Sequence, residues 1–143
     1  MNGMTKIVKT ISCFVAPAVI IFGVYLILHG HLTPGGGFAG GVIIAAGFIL
    51  LTLALGKGMP LTILSKSLAS ILESSGALIF LCVALFGFTG GYFFLNVLPK
   101  GYPFTLLSGG TILISNIGIG LKVGTALFVV FIVLSMFRIR GKE

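Results

Sequence analysis

The chain has 143 residues, of which 57% are hydrophobic and only 8% charged, and its mean hydropathy is +1.25. Soluble domains carry about 25% charged residues, so water cannot be the main solvent of this surface. The net charge of +7 is read as basic residues at the cytoplasmic ends of spanning helices; no basic cluster interleaves with stacking aromatics outside the apolar runs, which excludes nucleic acid as a partner.

The first apolar run covers roughly 7–28, long enough for a membrane span of about 20 residues. Its Ala16-Pro17-Ala18 resembles a signal-peptide cleavage site, but the triplet falls inside the run and the run exceeds an h-region, so it reads as a retained helix. Pro17 is expected to bend this helix by freeing the carbonyl of Cys13. Cys13 and Cys82 lie in apolar runs without a CxxC or a nearby histidine. They read as small core residues, not as metal ligands or a disulfide.

The stretch HGHLTPGGGFAGG (29–41) follows, with six glycines and a proline in thirteen positions. Gly35, Gly37 and Gly40 satisfy G-x-G-x-x-G, yet a dinucleotide site needs a strand before the glycines and a helix after them. Here they join two apolar runs. Gly36/Gly40, Gly37/Gly41, Gly87/Gly91 and Gly120/Gly124 are each spaced four apart, the spacing that lets helix backbones approach closely in lipid. Packing is therefore the expected role of Pro34, Gly35, Gly36, Gly37, Gly40, Gly41, Gly120 and Gly124, with Pro34 placed just before the second helix. His29 and His31, two positions apart, suit the membrane interface better than one metal.

The second run covers roughly 38–55, the third 75–95 and the fourth 117–137, all within spanning length. Lys6, Lys9, Lys57, Lys66, Arg138, Arg140 and Lys142 fall on one side of this arrangement and Lys100 alone on the other. The positive-inside bias then puts both termini in the cytoplasm. The outer loop contains PKGYPF (99–104), turn chemistry with interfacial aromatics, and then LLSGGTILISN, apolar enough to lie along the membrane or re-enter it.

Charge within a span is costly and marks a candidate site. Lys122 falls about 8 Å inside the outer edge of a 30 Å core if Phe137 marks the inner boundary. Ser115, Gly118, Lys122 and Thr125 follow i, i+3, i+7, i+10 spacing and form one polar stripe. Spacing leaves two readings of Lys122 open, an ion path or buried pair, and a side chain snorkelling to the interface. Glu73 opens the third span, where a helix N-terminus would favour its charge; the other reading is a carboxylate that accepts a proton or sodium. Glu73 on the inner side and Lys122 nearer the outer are not expected to pair. No nucleophile–base constellation, metal-ligand cluster or redox-cofactor motif occurs, so neither a catalytic site nor a cofactor is expected.

HGHLTPGGGFAGGVIIAAG (29–47), LESSGALIF (72–80) and FLNVLPKGYPFTLLSGGTILISNIGIGLKVG (94–124) together resemble the MnhB/MrpB family, whose members are subunits of Mrp-type multisubunit Na+/H+ antiporters. The resemblance covers nearly the whole chain. It implies an all-α integral membrane subunit of four transmembrane helices, a single domain over 1–143, in the cell membrane. Expected partners are large antiporter-like subunits, small hydrophobic subunits, Na+ and H+, and the lipid bilayer. Similar modules occur in membrane-bound hydrogenases and related ferredoxin-linked complexes. A glutamate opening span three and a lysine in Gly-Leu-Lys-Val-Gly match the family pattern, which implies an ion-pathway role for Glu73 and Lys122, with Ser115 and Thr125 on the same stripe. A purely structural scaffold is the alternative. His31-Leu32-Thr33 departs from the pattern, and the histidines inherit no role.

Overall fold

The computed structural model describes residues 4–56 and 65–140. They form α1 (Lys6–His29), α2 (Gly36–Leu55), α3 (Lys66–Phe86) and α4 (Thr111–Arg140), with a 3-10 turn at Gly87–Gly90 continuing α3. Among the described residues there is no strand, and all four helices are long and apolar enough to cross a membrane. α2 is the shortest at 20 residues and rises about 30 Å, the thickness of a hydrocarbon core. α1 continues through Pro17. Lys57 and Lys142 lie outside the described residues.

Two helices start earlier than the apolar runs suggest, and both have a capping reason. α3 begins at Lys66, not at 75, because the hydroxyl of Ser65 accepts the Leu68 amide at 3.2 Å, closing the first turn of a mixed-polarity segment. α4 begins at Thr111, not at 117. The side-chain oxygen of Asn96, in the preceding loop, accepts the Thr111 amide at 3.0 Å while its amide group donates to the Gly109 carbonyl at 3.1 Å. Residues 111–116 are thus the first turns of the last helix and not a separate re-entrant element.

The helices pack in the order α1, α2, α4, α3, with α1 touching α4 only lightly. α2 is the centre, and its buried positions are small all round: Gly36, Gly37, Gly40, Gly41, Ala45 and Gly47 among them. Toward α1, a β-carbon at Gly40 would stand 2.6 Å from the Gly23 carbonyl oxygen, and one at Gly23 would stand 2.9 Å from that of Gly40. Toward α4, a β-carbon at Gly41 would meet the Gly120 carbonyl at 2.8 Å and the Gly124 amide at 3.1 Å. Ile27 of α1 fits over Gly40 and reaches Gly120, joining α1 to α4 through a slot that only glycines leave open. In lipid, where apolar helices gain nothing by hiding from water, such close contact is the main source of association.

Toward the end that holds the start of α3, larger side chains take over. Ala69, Phe128 and Ile132 are buried together, with Phe48 and Leu72 against them, and the Phe48 and Phe128 rings meet with centroids 5.8 Å apart. Large apolar side chains elsewhere face outward, Phe14 at 78% and Ile21 at 69% exposure, as a lipid-solvated surface allows. Cys13 and Cys82 are also exposed, which corrects their expected core placement: glycine and alanine occupy the crossings, so bulkier residues turn out. The pair Gly87/Gly91 is corrected as well. Gly91 has φ +101° with nothing near it, and Gly87 accommodates the backbone of Phe94 and Leu95, so both serve a turn.

Gly41→Val should lower the thermal midpoint of the detergent-solubilised protein by an amount equivalent to about 1–3 kcal/mol, the usual cost of overpacking. Gly101→Ala, whose β-carbon would meet nothing closer than 3.4 Å, should leave the midpoint unchanged within about 0.5 kcal/mol.

Candidate functional site

The charged residues sit on the seam between α3 and α4. The two helices cross at Gly76, where a β-carbon would stand 2.6 Å from the Gly118 carbonyl and 2.9 Å from the Lys122 amide. Ala69 packs with Phe128 and Ile132, so the helices run antiparallel and Glu73 falls between these two levels, about half a turn from that of Lys122. Seven residues of helix precede Glu73, so it lies beyond the first turn, where a helix dipole acts; its predicted place at a helix N-terminus is corrected by the earlier start of α3. Lys122 lies about 16 Å from the start of α4. Insertion of a lysine at a helix centre costs about 2.5–3.5 kcal/mol on a translocation scale.

Both charges occupy the same side of the seam. Leu72 and Leu121 line an apolar cleft of about 420 Å³ between all four helices. Glu73 and Lys122 are the next residues along their helices, each turned about 100° from its leucine, away from the cleft. Glu73 is half-buried and Lys122 exposed. Among the described residues neither has an ion-pair or hydrogen-bond partner. They stay apart, as expected, but the cause is not different depth. Helical side chains lean toward their own N-terminus, so on antiparallel helices the carboxylate and the ammonium lean in opposite directions.

The rest of the polar stripe is used locally. Thr125 is buried and its hydroxyl donates to the Leu121 and Lys122 carbonyls at 2.7 and 3.1 Å; that of Ser115 donates to the Thr111 carbonyl at 3.0 Å. Gly118 is the crossing itself. Among the described residues no group of three or more histidine, cysteine or acidic side chains could hold a metal.

A second polar cluster closes the end of the bundle at the α1–α2 hairpin. Gly35 caps α2 without a side chain, and Gly36 has φ +77°, a left-handed turn that glycine adopts at little cost. The missing cap oxygen comes from α4: Asn116 Oδ1 accepts the Gly37 amide at 3.3 Å. A β-carbon at Gly30 would meet Asn116 Nδ2 at 2.7 Å, and one at Gly37 would strike the Asn116 backbone. The glycines of HGHLTPGGG thus make room for one asparagine. His31 Nε2 lies 3.2 Å from the Thr105 carbonyl, so it carries the hydrogen and joins the hairpin to the outer loop. His29 Nδ1 lies 3.1 Å from the Tyr25 carbonyl, its ring stacked on that tyrosine. Tyr102 and Phe104 project outward at 85% and 89% exposure. Sequence reasoning missed Asn96, Asn116, Gly23 and Gly76. The two asparagines are polar residues next to glycine-started helices, the signal that could have found them.

Residues 7–129 match the family described as a domain related to the MnhB subunit of Na+/H+ antiporter. A Na(+)/H(+) antiporter subunit of Bacillus subtilis is 31% identical over 146 aligned positions, covering 96% of this chain and 93% of that protein. An uncharacterized protein of Methanocaldococcus jannaschii is 39% identical over 126 positions, covering 83% of this chain and 48% of that protein. A chain of the membrane-bound sulfane sulfur reductase, an archaeal respiratory membrane complex, superposes with a TM-score of 0.70 at 31% identity, covering 90% of this chain and 56% of that chain. The chain therefore spans about half the length of the last two relatives.

Asn116→Leu removes the α2 cap and should lower stability by about 1–2 kcal/mol, the range for a lost cap or an interhelical side-chain bond in lipid. Asn116→Asp, which keeps an acceptor, should lose less; the comparison is read from the thermal midpoints of the two variants in detergent.

Proposed function

The chain belongs to the MnhB family of Na+/H+ antiporter subunits, and on that premise we propose that it lends Glu73 and Lys122 to the sodium or proton pathway of an antiporter module. The observation that carries this reading is the pair of charges on one side of the α3–α4 seam, within an apolar span and without partners among the described residues. Unpaired intramembrane charge is expensive, so such residues face a pathway or a partner. A carboxylate here can accept a proton or a sodium ion, and an ammonium beside it on the seam sets a positive potential along the same route. Ser115, whose donor is used within α4, offers its oxygen to the route, whereas Thr125 lines the apolar cleft on the other side.

The module works inside a larger assembly of membrane subunits, with both termini of this chain in the cytoplasm. Exposed Lys6 and half-buried Lys9 at the start of α1, with Lys66 at the start of α3, support that orientation. The host is either a stand-alone antiporter or a redox-driven respiratory complex; the first is supported by the Bacillus relative and the second by the reductase chain. In a redox host, this subunit handles ions and other subunits handle electrons.

The scaffold reading, in which the glycine hairpin docks neighbouring subunits, loses its specific support. Gly36, Gly37, Gly40 and Gly41 are all buried against helices of this same chain.

Glu73→Gln should abolish sodium-dependent proton exchange in inverted membrane vesicles while the complex still assembles, and Glu73→Asp should retain part of it. Exchange at the unmodified rate in Glu73→Gln would remove the residue from the mechanism.

A further inference from the structure

We propose that the α3–α4 face opposite the cleft docks a transmembrane helix of a neighbouring subunit that carries an acidic side chain toward Lys122 and a basic or proton-donating one toward Glu73. Three observations carry it. First, the two charges share one face at the Gly76–Gly118 crossing, while the opposite face holds the apolar cleft lined by Leu72 and Leu121. Second, neither charge has a partner among the described residues. Third, the antiparallel run of α3 and α4 sends the carboxylate and the ammonium in opposite directions, so the two cannot satisfy each other without leaving their preferred directions.

The face is therefore bipolar along the membrane normal, negative below the crossing and positive above it. Lipid tails cannot answer such a pattern. A second copy of this chain meets it poorly. A two-fold axis along the membrane normal brings Lys122 level with Lys122 and Glu73 level with Glu73, like charge against like. A helix of another subunit with the complementary order meets both groups at once. The inference goes beyond the pathway reading, because a docked helix is required whether or not ions pass along the seam.

The test is site-specific photo-crosslinking in the complete complex in its native membrane. Benzoylphenylalanine is placed at Ser70, one turn from Glu73, at Ala126, one turn from Lys122, and at Phe14, on the exposed side of α1. Irradiation should join the Ser70 and Ala126 variants to one and the same other subunit, and mass spectrometry of the adduct should find an acidic residue within a turn of the peptide joined to Ala126. Blue native electrophoresis supplies the second readout: Lys122→Arg keeps that subunit bound, and Lys122→Met releases it while this chain remains in the membrane. Adducts from Ser70 and Ala126 to lipid alone, or to a second copy of this chain, would overturn the proposal, as would retention of the subunit by Lys122→Met. None of these readouts depends on ion transport, so a failed exchange assay and a failed docking assay remain distinct results.

Discussion

Everything in this molecule depends on backbone meeting backbone where no side chain stands between. Hydrocarbon removes the drive that packs helices in water, so dispersion at short range and a few polar contacts must hold the bundle. α2 meets that demand on two sides, with Gly40 against Gly23 of α1 and with Gly37 and Gly41 against Asn116, Gly120 and Gly124 of α4. α3 joins on the same terms at Gly76 and Gly118. Ile27, threaded over Gly40 to Gly120, shows the arrangement most clearly: one branched side chain fills a slot made by glycines from two other helices.

Close approach at the crossings creates a second demand at the outer ends. Helices α2 and α4 both start from a glycine with no side chain to cap the first amides. Each is capped from elsewhere, α4 by Asn96 of the preceding loop and α2 by Asn116 of α4. The caps form a chain, from loop to α4 to α2, so the outer loop fixes one helix and that helix fixes the next. Gly110, at φ +56°, lets Asn96 reach its position; a β-carbon there would strike the asparagine amide.

Much of this is legible in the sequence, for a physical reason. Apolar length is a bulk property, so α1 and α2 end within two residues of their apolar runs. Start signals are local, and they fail where the cap is remote or the first turn polar. The serines and Glu73 before residue 75 make the opening of α3 look like a loop, and Gly109-Gly110 make the opening of α4 look like a re-entrant stretch. These two shifts put Glu73 beyond the first turn of α3 and Lys122 about three turns into α4, both near one crossing. The i, i+4 glycine pairs are visible, but their partners are not. Gly23 and Gly76 stand alone in their helices, and a pairwise contact between distant helices leaves no periodic trace in one sequence. The family resemblance points to Glu73 and Lys122, while the structure supplies the helix crossing near which both stand.

The central claim is that glycine is required at the crossings because a neighbouring atom already occupies the place of its β-carbon. A double-mutant cycle of Gly120→Ala with Ile27→Ala, followed by the unfolding midpoint of the purified protein in detergent, measures this most directly. Shortening Ile27 vacates the space that a β-carbon at Gly120 would enter, so the double variant should be more stable than the sum of the two single losses, with a coupling of about 0.5–3 kcal/mol. Losses that add to within about 0.3–0.5 kcal/mol would mean that Ile27 and Gly120 do not share that space, and the account of how the helices hold together would be wrong.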